Sequence, residues 1–356
     1  MKKIFLGLMV ALMMVATTQA QTLQQGEPAL VYYSPRTHVV LDFSYTVETD
    51  TKGIYAQYAE KLLGVSDIVE EDRTIYTLKD VTVHTRTDAD LTRPHKVVAE
   101  PGVPMQLLQI NEKNLLVGYN LPYEAPAAKP NNTPKEPAPR KSCQKKVAPF
   151  TEDVIEARTL ADEAQAVAKQ IFRIREARMY LLSGEVEHAP ADGQAMKLVL
   201  DELNKQEKEL VELFIGTKSR VVKHKKVEYT PMGENFKLFN ERLHFSPENG
   251  FTSPENVDAE EVGVTIQFTR PQTTTPSAND DPKGKKKESQ ASQIVYNLPG
   301  SGLLRVRYKG ELLAEKTLPM AQFGVDVPLA KDLFTGKTLP TIKISERTGN
   351  VVSISQ

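Results

Sequence analysis

The sequence predicts an α+β protein. It should contain an N-terminal small α+β unit over residues 28–121, a central antiparallel helical hairpin over 150–216 and a C-terminal β-sandwich-like unit over 217–356. Three observations carry this. Between Thr37 and Glu48, Val39, Leu41, Phe43, Tyr45 and Val47 alternate with Val40, Asp42, Ser44, Thr46 and Glu48, the period of a strand with one buried face. From 151 to 216 the apolar residues recur at spacings of three and four, as on a helix. In the last block, short alternating runs are separated by turn residues, the pattern of a sandwich or open barrel.

The chain opens with a stretch that reads as a secretory signal peptide over residues 1–20. Lys2 and Lys3 form a positive start, Ile4 to Val15 is apolar and uncharged, and Thr18 and Ala20 are small residues that set cleavage before Gln21. The apolar run is too short for a permanent membrane span, and no later stretch approaches 18 apolar residues. The expectation is an exported protein without a transmembrane segment after cleavage. Removing residues 1–20 leaves 43 basic against 46 acidic residues. That balance argues against nucleic acid as a partner, which calls for a broad basic face. The single cysteine, Cys143, allows no internal disulfide and no cysteine-based metal site, so the fold must rest on apolar burial.

In the first block, further strands are expected at Thr74–Thr85, Met105–Ile110 and Asn114–Tyr119. Ile54, Tyr55, Tyr58, Ala59 and Leu62 fall at helical spacing, with Gly64 as the stop. Residues 122–149 form a Pro/Lys-rich linker carrying Lys129, Lys135, Arg140, Lys141, Lys145 and Lys146. It has too few apolar groups to offset the entropy of ordering it. Such a basic segment could hold the protein peripherally to an anionic membrane surface.

The hairpin begins at Thr151, an N-cap followed by Glu152 and Asp153. Leu160, Ala164, Val167, Ile171, Ile174 and Leu181 make one stripe, broken only at Arg178. Met196, Val199, Leu203, Gln206, Leu210 and Leu213 make the other. Ser183-Gly184 and Gly216 end the two helices. Arg173, Arg175, Glu176, Lys205, Glu207, Lys208 and Glu209 are expected on charged outer faces. A seam this small does not hold two long helices in isolation, so the hairpin must dock on a β block or a partner. Leu198, Leu200 and Phe214, off the seam, are the candidate partner contacts. In the last block, strands are expected at Val262–Phe268, Leu304–Tyr308, Ile342–Ile344 and Val352–Ile354. Turns are expected at Pro299-Gly300, Lys309-Gly310, Gly336 and Gly349-Asn350, and a disordered loop at 271–292.

The runs Ile174–Glu187, Pro190–Gly193 and Met196–Leu210 resemble a family of exported Bacteroidales proteins catalogued as domain of unknown function 4831. So do Val31–Thr37, Tyr58–Gly64, Val295–Pro299 and Ala321–Val325. The resemblance covers nearly the whole chain after the leader. It implies an envelope protein of a Gram-negative bacterium, in the periplasm or at the outer membrane, and implies nothing about substrate.

No catalytic, cofactor-binding or metal-ligating residue can be assigned. His38, His84, His95, His188, His224 and His244 form no metal-ligand spacing, although His38 and His84 could meet across a sheet. Glu70-Glu71-Asp72 lacks the spacing of a calcium loop and reads as a solvated turn. Ser301 reads as a turn serine, and no nucleophile elbow, phosphate loop or dinucleotide fingerprint occurs. Without tryptophan, a sugar platform would rest on Tyr32, Tyr33, Tyr55 and Tyr58. The sequence therefore favours a non-enzymatic interaction protein. A glycan- or peptide-binding module is the alternative, and a hydrolase with scattered residues comes third.

Overall fold

The computed structural model describes residues 29–98, 105–122, 150–185, 192–233, 237–272, 293–334 and 338–355. The leader, Cys143, the linker beyond Pro122, His188, Gly336 and the loop from 273 to 292 lie outside them. The fold is α+β, with three antiparallel sheets.

Alternation around Val39–Val47 sets the longest feature. β1 (Ala29–Thr51) pairs with β2 (Arg73–Val98) along nearly its whole length, and its second half pairs with β5 (Thr217–Tyr229). The second sheet takes β6 (Leu238–Ser246), β7 (Gly250–Thr252), β8 (Glu260–Thr269), β9 (Val295–Tyr308) and β10 (Glu311–Pro328) in the order β10-β9-β8-β6-β7. The third joins β3 (Leu108–Ile110), β4 (Leu116–Tyr119), β11 (Thr341–Ile344) and β12 (Val351–Ser355) as β12-β11-β4-β3.

The first two sheets face each other as a sandwich. Val39, Leu41, Phe43, Val81 and Val83 from one meet Val262, Val264, Ile266, Leu304, Val306 and Met320 from the other. The C-terminal block thus does not build a sandwich alone, because its second layer comes from the N-terminal strands. The third sheet likewise pairs β4 with β11. It closes a second core of Tyr32, Val97, Leu108, Leu116, Tyr119, Ile294, Phe334 and Ile342. Apolar faces from both blocks are needed to bury either core, so the two blocks are one interleaved unit.

Other expectations shift locally. Met105–Leu107 is a 3₁₀ turn before β3. Pro299–Gly302 lies inside β9, so Ser301 is a strand residue rather than a turn serine. Gly300 is there for close packing: a Cβ would meet the Phe323 and Thr269 carbonyl oxygens at 2.6 and 2.9 Å. Lys309-Gly310 does form the β9–β10 turn. The helix expected from Thr151 breaks into α2 (Glu152–Ile155) and α3 (Leu160–Ser183). Thr159, whose hydroxyl accepts from the Asp162 amide, is the cap that holds. The expected helix before Gly64 is a 3₁₀ turn running into α1 (Ala59–Leu63), with Gly64 left-handed.

One prediction follows from the shared cores. The fragment 29–122 and the fragment 150–356, each produced alone, should lack a cooperative thermal transition by circular dichroism, and mixing them should restore one. A cooperative transition in either fragment alone would contradict the interleaving.

Candidate functional site

α3 packs against α4 (Gly193–Ile215) with Ala164, Val167, Ala168, Ile171, Ile174 and Leu210 buried. Arg178, the break in the apolar stripe, faces α4 and donates to Asn204 Oδ1 at 2.8 Å and to Glu207. Arg175 Nε donates to Glu207 Oε1 at 2.7 Å. Glu207 and Arg175 are therefore seam residues rather than outer-face charges. Burial raises the Glu207 carboxyl, but the hydrogen bonds from Arg175 and Arg178 outweigh it and hold the group below the usual glutamate range. The pairing of 175 and 178 with 207 and 204 also fixes the antiparallel register.

The hairpin docks on the connection between β1 and β2 rather than on the sandwich. The Tyr55 amide donates to the Leu213 carbonyl at 2.8 Å, and the Val69 amide to Ile215 at 2.8 Å. Gly216, at φ +80°, passes so close that a Cβ would lie 2.4 Å from the Thr51 carbonyl oxygen. Phe214 is fully buried, with its ring 5.3 Å from that of Tyr55. It is therefore not available to a partner, contrary to the sequence expectation, because it anchors the hairpin. Burial and the neighbouring Glu163 carboxylate push the Tyr55 hydroxyl up to about 12.

The far end of the hairpin is different. Leu198 is 70% exposed, Met179 69%, Leu182 67% and Tyr180 53%. Phe172, Met179 and Leu182 share one stripe of α3, and Val199, a seam position by sequence, is 38% exposed. Leu200 is half-buried. The antiparallel register brings residues 179–182 of α3 and 198–200 of α4 to the same end.

Between the sandwich core and the second core lies a polar waist. Here β2 loops out: Asp90, Leu91, Thr92 and Arg93 stand opposite Ser34 alone. In β10, Ala321 to Gly324 stand opposite Pro299 alone. Side chains hydrogen-bond the main chain in and beside these bulges. Gln322 Nε2 donates to the Thr37 and Pro231 carbonyls at 2.9 and 3.0 Å, and its Oε1 accepts from the Thr37 amide. Asn297 Nδ2 donates to the Ala321 and Thr348 carbonyls at 3.0 and 2.7 Å. Arg93 donates to Asp326 through two nitrogens, to the Ala321 carbonyl and to Asn297 Oδ1. Asp90 accepts from Arg36 and from the amide and hydroxyl of Thr92.

Ser34, His95 and Asp326 meet in this waist, and sequence reasoning had not joined them. Ser34 Oγ lies 2.7 Å from His95 Nε2 and donates to Asp326 Oδ1 at 3.1 Å. Oγ has a single proton: it goes to the carboxylate when Nε2 carries a hydrogen, and to Nε2 when the other tautomer leaves that nitrogen bare. The Asp326 carboxylate lies on the Nε2 side of the ring, 3.6 Å away, whereas a Ser-His-Asp triad holds its acid on Nδ1. The adjoining space, lined by Tyr32, Tyr33, Ser34, Tyr296 and Asn297, holds about 10 Å³, room for one water at most. Burial lowers the His95 pKa; Asp326 opposes that and Arg93 adds to it.

The other sequence candidates disperse. His38 and His84 share the outer face of the first sheet at diagonal positions, opposite Arg86 and Val40. His38 instead approaches Thr230, Glu228 and Asp88. Among the described residues, no group of three or more His, Cys, Asp or Glu is placed to hold a metal. Glu70, Glu71 and Asp72 are exposed, and Asp72 accepts from the Lys52 amide at 2.6 Å. Tyr32 and Tyr55 are buried in different cores. No described helix is long and apolar enough to cross a membrane.

These features define an α+β protein in which a helical hairpin docks beside two interleaved β cores. The family described as Domain of unknown function (DUF4831) matches residues 29–352, and the chain belongs to that family. No curated protein and no solved structure matches it.

The waist predicts a pH dependence. His95 and His38 both have pKa values below 6.5 in the folded protein, burial being the largest cause in each. Below pH 6.5 the unfolded chain binds protons that the folded chain refuses, so stability falls as the pH falls, by at most about 1.4 kcal/mol per pH unit for the largely buried His95 and by less for the more solvent-screened His38. Denaturant titrations between pH 7.5 and 5 should show this slope, and His95→Gln should reduce it. An unchanged slope in the variant would exclude His95 as a contributor. The depressed carboxyls of Asp88, Asp90 and Glu207 contribute a separate loss at lower pH, as they protonate.

Proposed function

We propose that this is an exported, non-enzymatic cell-envelope protein that works by binding another protein through the free end of its hairpin. The compartment rests on the leader-like residues 1–20, and the envelope assignment on the family resemblance. One observation carries the binding mode: Met179, Tyr180, Leu182 and Leu198 gather at one end of two ordered helices with half or more of their surface in water. A cluster of exposed large apolar side chains marks an interaction site more often than a solvated face, and an amphipathic helix pair is a common recognition element. The cleft beside Tyr33 and Tyr296 is far smaller than a sugar ring needs, which does not favour the glycan reading.

The test is a triple variant, Met179→Glu, Leu182→Glu and Leu198→Glu. Exposed substitutions change stability by about 0.5 kcal/mol or less each, so the melting temperature should stay close to that of the parent. Crosslinking in intact cells should lose its protein adducts at least tenfold. Adducts retained by the variant, or no protein adduct from the parent together with saturable glycan binding, would refute the proposal.

A further inference from the structure

β5 is unusual for an ordered strand. Thr217 to Lys226 is exposed on both faces. Only one edge of β5 is paired, to β1; no described strand pairs with the other. The strand carries Lys218, Arg220, Lys223, Lys225 and Lys226 against a single acid, Glu228. On the outer face, Arg220 pairs with Glu48 at 3.3 Å, and His224 and Lys226 pair with Asp42. On the face turned toward the second sheet, Lys225 lies over the Phe251 ring at 5.1 Å. Lys218 and Lys223 have no ion pair among the described residues. Val221 and Val222, on opposite faces, are 51% and 58% exposed.

We propose that this edge docks an acidic, extended segment of a partner protein, which adds to the sheet as a fourth strand beside β5. Three arguments select that occupant. A free strand edge offers N–H donors and C=O acceptors in alternation. A second peptide backbone matches both, whereas a phosphate-bearing surface can only accept. Lysines on both faces of β5 flank an added strand on its two sides, so alternating acids on that strand meet cations whichever way they point. A second copy of this chain fits badly. Every antiparallel self-pairing centred between Val221 and Lys225 sets a Lys, Arg or His opposite another, for example Lys223 on itself or Arg220 on Lys226. Like charges directly opposite destabilise a sheet. The basic edge therefore rejects its own copy while attracting acidic strands. This proposal is independent of the hairpin.

The test uses the full chain and a fluorescent eleven-residue peptide of alternating Glu and Val. A second peptide of equal charge, N-methylated at alternate residues, cannot form the ladder. The proposal expects saturable binding of the first peptide, weakened by salt, with new amide-exchange protection confined to 217–229. It expects at least tenfold weaker binding of the methylated peptide. Lys218→Glu with Lys223→Glu should also cost at least tenfold, and the hairpin triple variant should bind as the parent does. The proposal fails if the methylated peptide binds equally well or protection falls elsewhere. It also fails if the double variant, folded by its melting curve, binds unchanged, if anionic phospholipid vesicles bind the chain while the peptide does not, or if the hairpin variant abolishes binding. The last outcome would leave the hairpin reading standing and remove this one.

Discussion

The structure depends on satisfying the main chain where two pairs of strands stop matching. Strands β1, β2, β9 and β10 each serve the sandwich core and, at their other ends, border the second core. They can do so only by bending, and bulges that set four residues opposite one provide the bend. A bulge strips carbonyls and amides of their ladder partners, and leaving such groups buried and unpaired costs about 1–3 kcal/mol each. The Thr37 hydroxyl and Asn297 bind the Ala321 amide and carbonyl in place of the missing ladder, and Gln322 reaches from the bulge to the Thr37 main chain. Arg93 ties the β2 bulge to the β10 bulge through Ala321, Asn297 and Asp326. Among the described residues, four of the six buried polar ones, Ser34, Thr37, Asp90 and Asn297, belong to this one layer.

That layer explains the chemistry of Ser34 and His95. Their proximity resembles that of a catalytic pair, and the same contacts tie β1, β2 and β10 together. Arg93 occupies the carboxylate from one side and the serine hydroxyl from another. The ring of Tyr32 lies 5.2 Å from that of His95, and its hydroxyl exchanges hydrogen bonds with the Val295 main chain. A neutral histidine among buried partners is a structural element whose charging the fold resists, and this is what couples the waist to pH.

Much of the local structure was legible in the sequence. The alternation at Val39–Val47, the seam residues Ala164 to Ile174, and the stops at Gly64, Gly184 and Gly216 each depend on neighbours within a few positions. The waist was not legible: Ser34 meets Asp326 across 292 residues, and no local period encodes that meeting. β5 was hidden for the opposite reason. Its run of lysines and its lack of a buried face give no two-residue period, because β1 supplies the ladder that orders it. Phe214, off the helical seam, serves docking within the chain rather than contact with a partner, because Tyr55 of the β1–β2 connection buries it. The Glu207 pair was missed because charge on a helix reads as solvent-facing until a partner on the other helix is seen.

The hairpin and β5 share a single junction. Gly216 ends α4 and Thr217 begins β5, pairing at once with Thr51 of β1. Rotation of α4 about that glycine is opposed by Phe214 against Tyr55 and by the main-chain bonds from Tyr55 and Val69 to Leu213 and Ile215. The apolar hairpin end and the basic strand are therefore held in fixed relation to the same sheet. Their chemistries differ in range. An apolar cluster acts only at contact, whereas unpaired lysines attract over about a Debye length, roughly 8 Å at physiological salt.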